Sequence, residues 1–391
     1  MRSHAENIKE TLQKAGLDGI VCSLPENILF LTGYWPSTGD SVLVYPVVGN
    51  PSLIIPSVDR AFVPIDRQLD VREYNIDTDD ILFARTRSKL LSLIKGVLAD
   101  RGLTKGRLGV EASFETVAGS FRGSEANVPG RPFFQGLEAQ FSETRWEDAS
   151  SVIKDIRQIK TPEQLAAIRR CHEIAAHAFA LGKMRAQPGV REIEMASAIE
   201  SAFQEYGVGY AGVRRARGYA FVMSGPINAA NAWLPANFST ERRLEAGDLV
   251  LVEFNGYADG YWADLSRTYV VGEPSERQEQ LATSVQRVLD SVIAEIRPGV
   301  EGRALDQKAR ALMAEEGLGA YFPHYIGHGV GFAFHESPIL SDGFDARLRE
   351  GMVLAIEPGV YIPDYGGLRI EQNVAVTETG AKVFSDFDTK L

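Results

Sequence analysis

Two acidic residues, Glu253 and Asp264, stand where the sequence predicts the facing strands of a β-hairpin. We place the turn between Ala258 and Asp259, and this register sets the two carboxylates directly opposite each other. Residues paired in this way share one face of a sheet, with Cβ atoms ~4.5–5.5 Å apart, and like charges there repel. Because the flanking residues are apolar, the pair predicts burial together with a neutralising cation.

A second predicted hairpin repeats this arrangement nearer the C-terminus. A loop centred on Asp364 places Glu357 opposite Glu371, again between apolar runs. A single acidic residue in a strand usually faces solvent. Four carboxylates in two register-matched pairs are harder to explain in that way, and a bound metal ion would reconcile them with buried surroundings.

Three of the six histidines of the chain, His324, His328 and His335, fall within twelve residues. Glycines flank His328 on both sides. A lone histidine is more often a core or surface residue, but a cluster in a chain with paired carboxylates favours a functional site. One imidazole among carboxylates suits Mn²⁺, Fe²⁺, Co²⁺ or Zn²⁺ better than a metal that seeks thiolates.

The first part of the chain alternates between helical and β-rich patterns, without a recognisable set of catalytic residues. We therefore predict an α/β layer domain over residues 1–145. The predicted β-rich runs cover residues 19–33, 41–48 and 52–56, and the predicted helices end at Gly16 and near residue 102.

From residue 155 onward the pattern changes, and we predict a second domain over residues 155–391. Thr161 is a predicted helix N-cap, Pro162 fits the first helical position, and Gln164 completes a capping box. Helices followed by a β-hairpin occur twice between residues 160 and 376. This repetition predicts two related halves packed face to face.

Composition and charge exclude several classes of protein. Hydrophobic residues make up 45% of the chain and charged residues 24%, as in water-soluble globular proteins. The net charge of −11 argues against nucleic-acid binding. No run approaches ~18 apolar residues and the N-terminus lacks an apolar signal region, so we expect no membrane association and a cytoplasmic location. Cys22 and Cys171 are too few for a disulfide framework.

Four motifs resemble those of one enzyme family. Residues Glu253 to Thr268 resemble the pattern D-x-G-x₄-G-Y-x-x-D-x-[ST]-R-T, and His324 to Pro338 match H-x-x-G-H-G-V-G-x₃-H-E-x-P. I-E-P-G-x-Y spans Ile356 to Tyr361, and R-I-E spans Arg369 to Glu371. The family is that of the creatinase/prolidase/methionine-aminopeptidase ("pita-bread") hydrolases, with Xaa-Pro dipeptidase and aminopeptidase P nearest in layout. The resemblance implies an α/β (α+β) fold, with an N-terminal creatinase/prolidase-type α/β domain and a C-terminal pita-bread catalytic domain.

The resemblance also implies roles for individual residues. One or two divalent metal ions (Mn, Co, Zn or Fe) would activate a water for attack on the scissile carbonyl of a small peptide or peptide-like substrate. His324 and His335 would bind the substrate and stabilise the intermediate, with Arg369 and Tyr361 as further catalytic residues. Family resemblance points to a homodimer. The implied metal ligands are Glu253, Asp264, His328, Glu357 and Glu371.

Two positions depart from the family pattern. In relatives with two ions, the aspartate at the position of Glu253 holds the second ion, and Asp264 and Glu371 match ligands that bridge both. The extra methylene of Glu253 moves its oxygens by ~1.5 Å, against tolerances of ~0.2 Å in metal–oxygen distances, so we expect the second ion to be weak, displaced or absent. Trp233 stands where peptidase relatives have a substrate-binding histidine. An indole donates a hydrogen bond but cannot shuttle a proton, so Trp233 predicts a flat, apolar wall of the substrate pocket.

Three functions compete on these grounds. The first is a metal-dependent exopeptidase of Xaa-Pro dipeptidase or aminopeptidase type, which the complete set of histidines favours. The second is a creatinase- or ectoine-hydrolase-like hydrolase of a small non-peptide C–N bond, with Glu253 as nucleophile or with an incomplete metal site. The third is a catalytically silent binding protein. Glu253 and Trp233 favour the second and third functions.

Overall fold

The chain divides into two compact units, Met1–Arg157 and Gln158–Leu391. The domain limits expected from the sequence, 1–145 and 155–391, stay predictions. Within the described residues no helix combines the length and the apolar character that a membrane span requires. The computed structural model describes residues 3–36, 40–65, 68–76, 84–113, 131–234, 238–344 and 347–391.

The first unit is an α/β domain, as predicted, and its sheet has both parallel and antiparallel strands. Its helices are α1 (His4–Lys14), α2 (Pro25–Thr32), α3 (Ala84–Asp100), α4 (Arg131–Gln140) and α5 (Ser150–Arg157). Its strands are β1 (Gly19–Cys22), β2 (Val42–Pro46), β3 (Ser52–Pro56), β4 (Asp70–Tyr74), β5 (Arg107–Val110) and β6 (Arg145–Asp148). Among the described strands the order is β4-β3-β2-β1-β5-β6. Apolar side chains of this sheet, such as Val44 and Ile54, pack against Ile94 and Leu98 of α3.

Residues 19–33, predicted as a β-rich run, form a strand followed by a helix. α2 begins at Pro25 and ends at the residue before Gly33. Proline suits the first helical position because its missing N–H needs no partner there. Gly33 has a φ of 75°, the left-handed conformation of a helix C-cap. The prediction was wrong because the buried face of a short apolar helix cannot be told from a strand by periodicity alone.

The second unit begins with two helices packed on an antiparallel sheet. Both predicted capping-box hydrogen bonds between Thr161 and Gln164 are present at the start of the first helix, where Pro162 takes the first helical position. Phe203 and Phe254 lie in the apolar core between the helices and the sheet. The elements are α6 (Pro162–Arg185), α7 (Glu192–Gly207), β7 (Ala216–Ser224), α8 (Gly225–Asn228), β8 (Leu249–Ala258) and β9 (Tyr261–Val270).

A second group of helices and strands follows, as the repeated pattern predicts. Its apolar core includes Leu289 and Leu305 from the helices and Leu354 and Val374 from the sheet. The elements are α9 (Glu276–Ile293), α10 (Gly302–Glu315), β10 (Gly327–Gly329), β11 (Glu336–Leu340), β12 (Val353–Ile356), β13 (Gly359–Ile362), β14 (Gly366–Arg369), β15 (Gln372–Val376) and β16 (Ala381–Val383). The two groups meet where β14 lies against β8 and β15 against β9.

The hairpin of β8 and β9 has a register that differs by two residues from the predicted one. Its strands turn through residues 259–260, whose φ angles of 48° and 85° are those of a type I′ turn. Asp264 therefore pairs with Asn255, and Glu253 pairs with Ser266. The predicted direct opposition of Glu253 and Asp264 was wrong. Because a shift of two residues keeps every side chain on its face, the two carboxylates still share one face.

The second hairpin keeps its predicted register. β12 pairs with β15 on one side of a short gap, and β13 pairs with β14 on the other. Glu357 and Glu371 lie in this gap. Since the register is the same on both sides, it places Glu357 opposite Glu371.

Arg267 of β9 fixes the second hairpin and the C-terminal segment against the first group. Its guanidinium donates to the carbonyl oxygens of Ser266 (2.9 Å), Glu371 (2.6 Å), Ser385 (3.0 Å) and Asp388 (3.0 Å). The side chain is almost fully buried, and burial lowers the pKa of Arg267 to about 10. The cation therefore satisfies several buried carbonyl groups at once.

We expect Arg267→Ala to lower the unfolding temperature of the protein by about 6–12 °C, since leaving buried carbonyls unsatisfied costs roughly 3 kcal/mol or more. Arg287→Ala is the matched control, because the Arg287 side chain is 56% exposed and its ion pair with Glu316 is on the surface. Calorimetry of both variants checks the expectation. Equal unfolding temperatures would show that Arg267 does not stabilise this junction.

Candidate metal centre

Asp264 lies in the interior where the two hairpins meet. Its main-chain N–H donates to Asn373 Oδ1 at 3.2 Å, and Asn373 Nδ2 donates to the Asp264 carbonyl at 2.7 Å. Asn373 belongs to β15, so these hydrogen bonds tie the residue to the second hairpin. The Asp264 Oδ1 accepts a hydrogen bond from Asn255 Nδ2. The position of the carboxylate is therefore fixed from both hairpins.

His328 lies in the middle of β10 and points at these carboxylates. A Cβ on either neighbour, Gly327 or Gly329, would come within 2.3 Å of a carbonyl oxygen of an adjacent strand, so only glycine fits there. The His328 Nδ1 donates to the Gly329 carbonyl at 2.9 Å, which leaves Nε2 as the nitrogen with a lone pair. This Nε2 lies 3.7 Å from Asp264 Oδ2 and 3.5 Å from Glu357 Oε1.

Glu371 completes the group of acidic side chains. Its Oε2 accepts a hydrogen bond from Ser266 Oγ at 2.7 Å, whereas its buried Oε1 has no hydrogen-bond partner among the described residues. Burial and the nearby charge of Asp264 raise the pKa of Glu371 to about 8. The carboxylates are thus held together with too little positive charge from the protein.

A divalent cation fits this set of donors. Asp264, Glu357 and Glu371 offer carboxylate oxygens, and His328 offers one imidazole nitrogen, a combination suited to first-row divalent metals. The pKa of Tyr325 is raised by burial and, to a smaller extent, by the negative charges of the three carboxylates. A cation would supply both the missing partner of Glu371 Oε1 and the missing charge.

His335 lies close to the same group. Its Nε2 is 3.2 Å from Asp264 Oδ2, and its ring centroid is 3.8 Å from that of His328. One donor atom each from Asp264, His328 and His335 lies within 4.8 Å of the other two, which is close enough for one metal ion. The His335 side chain is 20% exposed, however, against 1% for His328. This accessibility favours contact with substrate, and the role predicted for His335 stays a prediction.

His324 and Tyr361 belong to a hydrogen-bonded chain beside the metal candidates. His324 Nδ1 donates to the Tyr325 carbonyl at 2.9 Å, and its Nε2 accepts from the Tyr361 hydroxyl at 3.0 Å. Burial lowers the pKa of His324 to about 4, so the imidazole is neutral near pH 7. Arg369 Nη1 donates to the Tyr361 oxygen at 3.0 Å, and Arg369 Nη2 forms an ion pair with Glu253 Oε2. The structure thus brings Glu253 to Arg369, and its predicted role as a metal ligand stays a prediction.

Trp233 is at the surface beside this chain of residues. It follows the short 3₁₀ turn Ala229–Asn231 and is 41% exposed. Its neighbour Ala232 packs with Tyr361 and Met223 in a small apolar cluster. Trp233 therefore directly follows a residue of the cluster that contains Tyr361, and its contact with substrate stays a prediction.

Two residues of this centre were missed in the sequence. Asn255 lies between Glu253 and Asp264, and Ser266 both donates to Glu371 and accepts from Arg369 Nε at 2.8 Å. Each stands at a defined position of the first motif. Asn255 replaces its glycine, and Ser266 is its serine or threonine. Both residues could therefore have been identified from their positions in the motif.

The chain resembles known peptidases over its full length. The chain is 27% identical over 391 residues to the Xaa-Pro dipeptidase of Pyrococcus horikoshii, covering 100% of this chain and 99% of that protein. It is 28% identical over 392 residues to the Xaa-Pro dipeptidase of Pyrococcus furiosus, with 100% of both proteins covered. The crystal structure of the Pyrococcus horikoshii prolidase superposes with a TM-score of 0.77 at 26% identity, and the superposition covers 100% of both chains.

Family profiles match both parts of the chain. Residues 5–159 match the creatinase/prolidase N-terminal domain, and residues 166–378, more than half of the chain, match metallopeptidase family M24. The predicted fold class is confirmed by these matches and by the prolidase structure. The comparisons favour a peptidase over a hydrolase of a non-peptide bond. The chain therefore belongs to metallopeptidase family M24 and is a metal-dependent peptidase.

Proposed function

We propose that this chain is an exopeptidase of the Xaa-Pro type, acting on small peptides with proline at the second position. The main supporting observation is that Asp264, His328, Glu357 and Glu371 lie together at the junction of the two hairpins, with Asp264, His328 and Glu371 buried and the Glu357 side chain 12% exposed. It occurs in a chain whose full-length relatives carry the name Xaa-Pro dipeptidase. These two facts together support both the metal dependence and the substrate class.

The four residues just named would hold the metal ion. Bound there, a divalent ion would lower the pKa of a water and polarise the scissile carbonyl of the peptide. The oxygen-rich donor set supports Mn²⁺, Co²⁺, Fe²⁺ or Zn²⁺, and Mn²⁺ is our choice for testing. The homodimer and the cytoplasmic location expected from the sequence stay predictions.

His335 would act on the substrate from the open side of the centre. Its ring lies beside that of His328 and reaches solvent, so a bound peptide can contact it. An N–H aimed at the carbonyl oxygen stabilises the negative charge that develops on that oxygen during attack. His335 is therefore the donor that we assign to the reacting carbonyl.

Arg369, expected from the family resemblance to be catalytic, would act by orienting other side chains. Its Nε donates to Ser266 Oγ at 2.8 Å and its Nη1 to the Tyr361 hydroxyl at 3.0 Å, while Nη2 pairs with Glu253. Because all three nitrogens already contact protein groups, the guanidinium holds Tyr361 and Glu253 in fixed positions. This arrangement supports a positioning role.

A panel of peptides tests the proposed specificity. With Mn²⁺ added, we expect kcat/KM for Ala-Pro to exceed that for Ala-Ala by at least about 10-fold, since one well-fitted substrate group is worth roughly 10- to 200-fold. The tripeptide Ala-Pro-Ala, assayed under the same conditions, separates a dipeptidase from an aminopeptidase. Faster hydrolysis of Ala-Ala, or no hydrolysis of any of the three, would refute the Xaa-Pro assignment.

A further inference from the structure

Asn255 occupies the space between the two carboxylates that a second metal ion would need. It lies two residues after Glu253 on β8 and directly opposite Asp264 on β9. Its side chain therefore shares the face of both carboxylates. The residue is 1% exposed, so its carboxamide is confined to this buried space.

The Asn255 carboxamide lies close to both acidic side chains. Asn255 Nδ2 donates to Asp264 Oδ1 and lies 3.5 Å from Glu253 Oε1. An amide nitrogen carries two hydrogens, so one group can serve both carboxylates. It thereby takes the bridging position between the two side chains.

The other oxygen of Glu253 is held by a cation of the protein. Glu253 Oε2 forms an ion pair with Arg369 Nη2, and Ser266 and Tyr361 fix the guanidinium in turn. Both oxygens of Glu253 are thus directed at donors of the chain. A metal ion bound at this place would have to displace the carboxamide and compete with a buried guanidinium.

The motif that the first hairpin resembles has glycine at the position of Asn255. Glycine has no side chain to fill the space between the two acidic residues, whereas asparagine fills it with a hydrogen-bond donor. This chain therefore differs from the family pattern by having the Asn255 carboxamide at the place where the second ion would bind.

We propose that the centre binds a single metal ion, and that Asn255 excludes the second. This inference rests on the proposed function, because it concerns the metal content of the same site. Asp264, His328, Glu357 and Glu371 hold the single ion, while Glu253 serves as the partner of Arg369 and Asn255. In this proposal the second ion is excluded by the side chain of Asn255, and not by the extra length of the Glu253 side chain.

The test compares metal stoichiometry in the wild type and three variants. Each metal-free protein is dialysed to equilibrium against about 10 µM free Mn²⁺, the upper end of the dissociation constants of sensor-type Ca²⁺ sites. Bound metal is then counted by elemental analysis and by native mass spectrometry. We expect one ion per chain in the wild type and in Glu253→Asp, and two ions in Glu253→Asp/Asn255→Gly. Asn255→Gly alone should bind a second ion at least about 10-fold more tightly than the wild type does.

Glu253→Asp is the matched control, since it restores the ligand length of the family while leaving Asn255 in place. Two ions in the wild type or in Glu253→Asp would overturn the proposal, as would one ion in the double variant. No ion in the wild type would instead contradict the proposed function. Unfolding temperatures confirm that each variant is folded, and Asn255→Ala replaces Asn255→Gly if the glycine variant does not fold.

Discussion

Replacing His328 by alanine should abolish tight metal binding and, with it, peptidase activity. His328 Nε2 is the imidazole donor that faces Asp264 and Glu357, and its tautomer is set by the hydrogen bond from Nδ1 to Gly329. Losing a group that only orients a ligand weakens metal affinity by about 10- to 100-fold, so losing the ligand itself should cost at least about 100-fold. Titration of the metal-free protein with Mn²⁺, followed by calorimetry, measures the change.

His177→Ala is the control for this variant. His177 lies on the exposed side of α6, where its ring stacks on Tyr206 at a centroid distance of 4.1 Å. Its removal changes the histidine content equally but leaves the centre intact. An affinity for Mn²⁺ in His328→Ala equal to that of the control would show that His328 is not a ligand.

Replacing His335 by alanine should lower kcat for Ala-Pro by about 10²- to 10³-fold with metal content unchanged, the usual effect of removing a donor that stabilises a developing oxyanion. His335 is the more exposed of the two neighbouring imidazoles, at 20% against 1% for His328. Metal analysis and kcat are measured on the same preparation. His335→Gln keeps an N–H donor near that position, so it should retain more activity than the alanine variant.

The position of His335 also allows the opposite outcome. Its Nε2 lies 3.2 Å from Asp264 Oδ2, a separation that two ligands of one ion could have. If His335→Ala loses metal in proportion to its activity, His335 is a ligand. Our division of the histidines between metal and substrate would then be wrong.

The shared strand faces of the four acidic residues could be predicted from sequence because they follow from hairpin geometry. The register of the second hairpin placed Glu357 opposite Glu371, and the strands on both sides of the gap keep that register. The first hairpin was misjudged by two residues, although the dipeptide Asp259-Gly260 is the strongest signal of a type I′ turn. A two-residue turn at that dipeptide pairs Asp264 with Asn255.

The partners of Glu253 could not be predicted from local sequence. Arg369 lies 116 residues further along the chain and reaches Glu253 only because β14 packs against β8. The spacing of residues predicts which side chains share one strand face. It does not predict that a cation from another hairpin, Arg369, will lie beside them. Long-range packing therefore decides whether Glu253 faces a metal ion or a guanidinium.

The exposure of the histidines was likewise outside the reach of sequence. His328 and His335 are seven residues apart in a glycine-rich segment, and nothing in their spacing separates a buried ligand from a residue open to substrate. The distinction arises because His328 lies within β10, between two neighbouring strands, whereas His335 precedes β11. Only the folded sheet shows which imidazole is enclosed.

The central claim, that this chain is a metal-dependent Xaa-Pro peptidase, is tested most directly by the rate of Ala-Pro hydrolysis during Mn²⁺ titration of the metal-free protein. We expect no turnover without metal, a rise in rate as metal is added, and saturation at one ion per chain. Turnover that is unchanged by complete removal of metal, or no hydrolysis of either Ala-Pro or Ala-Pro-Ala at any Mn²⁺ concentration, would contradict this claim.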